Sequence, residues 1–136
     1  MASKNKSKTI NACPCGGVNY SECCGPLHQG LARASTAEQL MRSRYSAYAL
    51  GLEGYVNQTW HSSTRPESLN LELERTQGKW IGLKVMDHHE QCDQGEVEFV
   101  ARYKPLQGPA TRLHERSRFA REAGQWWYVD GTLFDT

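Results

Sequence analysis

The 136-residue chain contains no apolar run approaching the ~20 residues that a membrane-spanning helix requires. It also lacks a lipidation motif, a glycine-rich phosphate loop and any internal repeat. Charge of one sign is missing too: sixteen Lys and Arg stand against fifteen Asp and Glu, for a net charge of +1. A nucleic-acid surface needs a clustered basic excess, so nucleic acid is not expected as a partner. The opening residues MASKNKSKTI carry lysines but no apolar stretch, which excludes a secretory signal of the usual form. These absences point to a protein of the cytoplasm without a membrane segment. Cysteine is scarce outside one place: of five, only Cys92 stands alone, and it reads as an unpaired thiol.

What is present is concentrated in Cys13-Pro-Cys15-Gly-Gly-Val-Asn-Tyr-Ser-Glu-Cys23-Cys24-Gly-Pro, four cysteines within twelve residues. Zinc takes four tetrahedral ligands, and closed sites are built from thiolates and imidazoles. Pro14 restrains Cys13, and Gly16-Gly17 allow a tight turn that returns Cys23 and Cys24 to the first pair. His28 could take the place of one cysteine as the fourth ligand. The competing readings are two disulfides, which need an oxidising compartment, and free or redox thiols. Four cysteines argue for a closed, structural zinc site with no open position for catalysis.

Three segments follow from the pattern: a solvated tail over residues 1 to 10, a zinc knuckle over 11 to 30 and one α+β domain over 31 to 136. Val18 and Tyr20 are the apolar groups with which the knuckle can dock on the body. Ser35-Thr-Ala-Glu38 is a capping box that starts a helix ending at Gly51. Its apolar stripe is Ala37, Met41, Tyr45, Tyr48 and Leu52, with Arg44 on the shoulder and Arg42 further out. A short helix to about Gln58, a loop through Trp60-His61, and a third helix from Pro66 to Leu73 come next. Four strands are expected at 80–88, 96–104, 112–122 and 125–130, from alternation and β-branched or aromatic content. Helices followed by an antiparallel meander of about four strands give helices packed on one face of a sheet.

Strand parity carries Leu113, Glu115, Ser117 and Phe119 to the covered face and His114, Arg116 and Arg118 to the other. Glu115 then needs a partner, and Arg44 is the candidate; a structural ion pair and a ligand-binding or acid–base role are both open. Trp126 and Trp127, being adjacent, must face opposite ways. His61 is either a surface histidine or part of a cleft beside Trp60.

The blocks Cys13-Pro-Cys15-Gly, Tyr20-Ser-Glu-Cys23-Cys24-Gly, Met41-Arg-Ser-Arg-Tyr45-Ser-Ala-Tyr48, Thr59-Trp-His61, Phe99-Val-Ala-Arg-Tyr103, Glu115-Arg-Ser-Arg-Phe119 and Trp127-Tyr128-Val-Asp-Gly131 resemble, in order, those of the bacterial YchJ-like family. The cysteine blocks resemble the SEC-C zinc motif, except that the loop from Cys15 is one residue short if Cys23-Cys24 is the terminal pair. The resemblance implies a SEC-C knuckle followed by a nuclear transport factor 2-like (NTF2-like) cone, a bent sheet wrapped around helices. Many relatives carry a second SEC-C motif near the C-terminus; none occurs before Thr136, so a role needing two knuckles is not expected here. The family carries no established activity. Three functions compete: a zinc-stabilised module that contacts a protein or ribosomal partner through its knuckle, a cone that binds a small hydrophobic ligand or performs acid–base chemistry, and nucleic-acid binding. The first is preferred, and no catalytic residue is assigned. Under the second, Arg44, Tyr45, Trp60, His61 and Glu115 would line the pocket. A cavity of a few hundred Å3 with Glu115 in its wall would favour the cone; a filled cone with an exposed aromatic patch beside the knuckle would favour the module. A homodimer would use the outer sheet face.

Overall fold

The computed structural model describes residues 12–134, so the tail expected over residues 1 to 10 lies outside the described residues. A 3-10 turn at Tyr20–Glu22 leads into α1 (Gly25–His28), α2 (Ala37–Leu50), α3 (Glu53–Gln58) and α4 (Leu71–Gln77). Four strands then follow in an antiparallel meander, β1 (Gly78–Gln91), β2 (Gln94–Pro105), β3 (Thr111–Glu122) and β4 (Gln125–Phe134), with sheet order β1-β2-β3-β4. The fold is the α+β arrangement expected from the sequence. No described helix is long and apolar enough to cross a membrane.

Helix α2 organises the rest. Its N-cap is Thr36, not the expected Ser35: Thr36 Oγ1 accepts from Gln39 N at 3.0 Å, and Gln39 Oε1 reaches back to Ser35 N at 2.6 Å. Either register satisfies the capping pattern. The later one places Ala37 N against Glu90 Oε2 at 2.6 Å, so a carboxylate from β1 sits at the helix N-terminus, where the dipole favours it. Glu38 is released to pair with Arg42 at 3.0 Å and His88 at 3.1 Å. At the other end Gly51 takes φ 76°, and Leu52 N donates to Ala47 O at 2.8 Å, the left-handed stop expected of glycine.

The third helix departs from expectation. It runs over Leu71–Gln77 instead of 66–73. Residues 61–70 are used to brace the loop: Thr64 Oγ1 donates to Val129 O at 2.5 Å, and Arg65 Nη2 to Trp60 O at 2.7 Å. The helix begins where Leu71 can bury itself with Ala47 and Val56.

Irregular pairing between Trp80 and Gly82, Val85 and Asp87, and Arg118 and Phe119 bends the sheet. Val97, Phe99, Ala101, Phe119 and Trp126 form the inner face, packed with Leu40, Met41 and Tyr45 of α2. Trp126 points inward and Trp127 outward, as parity requires. The outer face is charged. Arg116 bonds to Glu96 at 2.5 Å, Glu98 at 2.8 Å and Asp87 at 3.2 Å, and His114 bonds to Glu98 at 2.7 Å. A partner copy on that face would have to cover these ion pairs. The free edge of β4 is closed by the Trp60 loop, where His61 N donates to Tyr128 O at 2.7 Å and Tyr128 N to Thr59 O at 2.9 Å.

Candidate metal centre and cone cavity

The knuckle is built by short-range turns. Gly16 at φ 108° lets Gly16 N reach Cys13 O and Cys13 N reach Gly17 O, both at 2.9 Å. Cys23 N closes on Tyr20 O at 3.0 Å. These turns bring the sulfurs of Cys13, Cys15, Cys23 and Cys24 to within 4.8 Å of one another, with all four thiols free. A tetrahedron with Zn–S bonds near 2.3 Å has edges of about 3.8 Å. The Sγ separations of 3.5 Å for Cys15–Cys23 and 4.0 Å for Cys23–Cys24 bracket that value, so the donor set fits a tetrahedral thiolate-bound metal.

Without a cation the cluster cannot carry four negative charges. A side-chain hydrogen bond from Cys24 holds the Cys15 thiol down to about 4, and the same contact pushes Cys24 up. Burial raises Cys23 to about 11. A bound divalent cation would offset that repulsion and favour the thiolates. Gly17 is required by space: a Cβ there would lie 2.6 Å from Cys23 Sγ and 3.4 Å from Cys13 Cβ. Gly17→Ala is therefore expected to weaken metal affinity about 10- to 100-fold, the range typical of groups that orient ligands; competition with a chromophoric chelator measures it.

His28 is not in the sulfur cluster. Its Nε2 donates to Ser43 O at 2.8 Å, which leaves Nδ1 to accept from Tyr20 OH at 2.6 Å. Burial lowers its pKa, in keeping with this neutral form. Both nitrogens are occupied in clasping the knuckle to α2, so the cluster takes Cys23, and His28 has a positioning role. Tyr20 docks as expected, whereas Val18 does not: it is 87 % exposed at the knuckle tip.

The sequence reading missed three residues on α2 that meet the knuckle. Ser46, fully buried, lies 3.4 Å from Cys13 Sγ and donates to Cys24 Sγ at 3.3 Å. Ser43 holds His28, and Arg42 Nη1 donates to Cys15 O at 2.9 Å. The available signal was that Arg42 and Ser43 lie four and three residues before Ser46, a polar stripe that reads as a solvated face when nothing is known to cover it.

On the other side of α2 the sheet lines a half-open cavity of about 270 Å3. Arg44, Tyr45 and Glu115 line it, with Met41, Phe99 and Leu113 among its apolar walls. Trp60 and His61 do not. Trp60 lies behind Arg44, and His61 bonds to Glu122 at 3.0 Å and Ser63 at 2.8 Å on the surface of the β4 edge. Arg44 does not pair with Glu115. Its Nη1 donates to Val56 O at 2.8 Å and Thr59 Oγ1 at 2.7 Å, and its guanidinium is 5.0 Å from the Trp60 ring centre and 4.4 Å from that of Tyr128. Burial pulls the Arg44 pKa down, opposed by Tyr48, Tyr128 and, more weakly, Glu115; an arginine nonetheless remains charged at neutral pH. Glu115 Oε2 accepts from Ser117 Oγ at 2.7 Å and Tyr128 OH at 3.3 Å, and it rests against Gly131, where a side chain would collide with it. Burial, followed by the charge of Glu115, raises the pKa of Tyr128, which therefore stays a donor.

A bent four-stranded sheet closed around a buried helix, with four thiols on the far side of that helix, defines an NTF2-like cone bearing a cysteine knuckle. The family model described as "YchJ, middle NTF2-like domain" matches residues 36–131. The chain belongs to the YchJ family. A UPF0225 protein of Chromobacterium violaceum is 53 % identical over 134 residues, covering 96 % of this chain and 98 % of its own length. The solution structure of a SEC-C motif containing protein from Rhodopseudomonas palustris superposes with a TM-score of 0.81 at 35 % identity, covering 92 % of this chain and all of the other. The crystal structure of another SEC-C motif containing protein, from Psychrobacter arcticus, gives a TM-score of 0.76 at 29 % identity, with 94 % of this chain and 85 % of the other covered.

Proposed function

We propose that this protein binds a small molecule in its cone and that the knuckle is a structural zinc site clamping the helix that forms one wall. The observation that carries this reading is the cavity of about 270 Å3 with Glu115 in its wall. Of the two outcomes set against each other from the sequence, an open cone is the one that favours ligand binding over a knuckle acting as the functional surface. Zinc is the metal that an all-cysteine tetrahedral set suits best, and reduced thiols suit a cytoplasmic location. A protein partner for the knuckle is the second reading, favoured by Val18 standing 87 % exposed at its tip.

A fluorinated-fragment screen by 19F NMR tests the first reading, with Ala101→Phe as the control. Ala101 is buried and lines the cavity, so a phenyl ring there fills it. Fragments bound by the native protein are expected to be lost in Ala101→Phe while the far-ultraviolet circular dichroism is unchanged. Fragments that bind both proteins equally would place any binding outside the cone and remove the reading.

A further inference from the structure

The cavity wall holds Arg44 and Glu115, with the exposed Glu74 of α4 as a second carboxylate, and neither carboxylate forms an ion pair with Arg44. Arg44 is 5 % exposed, and its two hydrogen bonds both use Nη1. Among the described residues no acceptor engages its Nε or Nη2, and no carboxylate forms an ion pair with it; rings, not an anion, flank its charge. Glu115 is supported by two neutral hydroxyls, both on Oε2, which leaves Oε1 without a donor. Burying a charge without a counter-charge is costly; Arg44 is buried and Glu115 half-buried, and a ligand carrying both signs would complete the two together.

The chemistry of the ligand follows from the pair. A simple carboxylate would satisfy Arg44 but meet the charge of Glu115. A simple amine would satisfy Glu115 and leave Arg44 alone. A neutral apolar molecule would complete neither. A zwitterion completes both. The remaining wall, with Met41, Phe99 and Leu113, is apolar and calls for a hydrocarbon or aromatic group. A volume of about 270 Å3 calls for a small ligand.

Resting on the cone reading above, we infer that the cavity is a site for an apolar α-amino acid. Its carboxylate sits on Arg44 Nε and Nη2, its ammonium on Glu115 Oε1, and its side chain lies against Met41, Phe99 and Leu113.

Isothermal titration calorimetry of the full, metal-loaded chain with four probes tests this: L-phenylalanine, L-leucine, 3-phenylpropionate and phenethylamine. One of the two amino acids is expected to bind at least about tenfold more tightly than either single-charge probe, since a site built around a polar group rejects analogues lacking it. Glu115→Gln keeps an oxygen for Ser117 and Tyr128 but loses the charge. In that variant 3-phenylpropionate is expected to bind as well as phenylalanine or better. Equal affinity for all four probes, preference for a single-charge probe in the native protein, or an unchanged preference in Glu115→Gln would each overturn the inference. If none of the four binds while cavity-dependent fragments do, the amino-acid assignment fails and the cone reading survives. If fragments bind irrespective of Ala101→Phe, the cone reading itself fails.

Discussion

Cys15→Ser is expected to abolish the zinc binding proposed for the cysteine cluster and to lower the melting temperature by about 10 °C. The magnitude follows from linkage. Structural zinc contributes its binding free energy to folding, and losing even about 3 kcal/mol of it moves Tm by about that much in a domain of this size. Cys15 is almost fully buried, and it belongs with Cys13 and Cys24 to the same apolar cluster as Leu40, Met41, Val97 and Phe119. From the sequence, the cone is expected to stay folded while residues 11 to 28 loosen. The shared core adds a cost to the cone itself, because Ser46, Ser43 and Arg42 of α2 lose the groups they hold. Amide exchange should therefore rise first across the knuckle and then along α2, with β2 and β3 remaining protected. Elemental mass spectrometry and a thermal melt measure both parts. A Cys15→Ser protein that retains one zinc, or melts with the native protein, would show that the cluster is not a closed structural site.

Arg44→Ala is expected to cost about 3 kcal/mol. Three losses contribute: a hydrogen bond from a charged group is worth about 1.5–3 kcal/mol, a cation–π contact about 0.5–2 kcal/mol, and a void beside packed side chains adds more. Because Arg44 ties α2 to Val56 and Thr59 and fills the space beside Trp60, the change should also release the loop that closes the β4 edge and shift the Trp60 emission. Arg44→Met separates volume from charge. It refills the space and removes a buried cation, while the Thr59 hydroxyl keeps its 2.8 Å bond to Tyr55 O. Methionine is therefore expected to recover more than half of the alanine loss in a urea titration while remaining unable to bind a carboxylate. If alanine costs less than about 1 kcal/mol, Arg44 is not the clamp that its contacts indicate.

Much of this molecule is legible in its sequence. The cysteine cluster is local: twelve residues with proline and glycine at the turns can only fold back on themselves, so ligand types and turn chemistry suffice to name the site. The order of helices and strands, the stop at Gly51 and the inward face of β3 follow from periodicity, which is also a local property. Where expectation failed, a distant segment had decided between local options of nearly equal quality. Glu90, contributed by β1, selected Thr36 over Ser35 as the cap. The need to brace Trp60 against β4 moved the third helix from 66–73 to Leu71–Gln77.

The same distinction separates the two sites. Composition and spacing determined that four thiols would gather. Tertiary structure alone decided that His28 would clasp α2 and not join the sulfur cluster, since its two partners, Tyr20 and Ser43, are set by how the knuckle docks. It alone decided that Arg44 would stack on Trp60 and Tyr128 and not pair with Glu115, leaving two charges open to one cavity. Strand parity states which face a side chain takes; only the bend of the sheet around α2 sets how far apart two groups on that face come to rest, because bulges and packing, unlike the two-residue repeat, are properties of the whole fold.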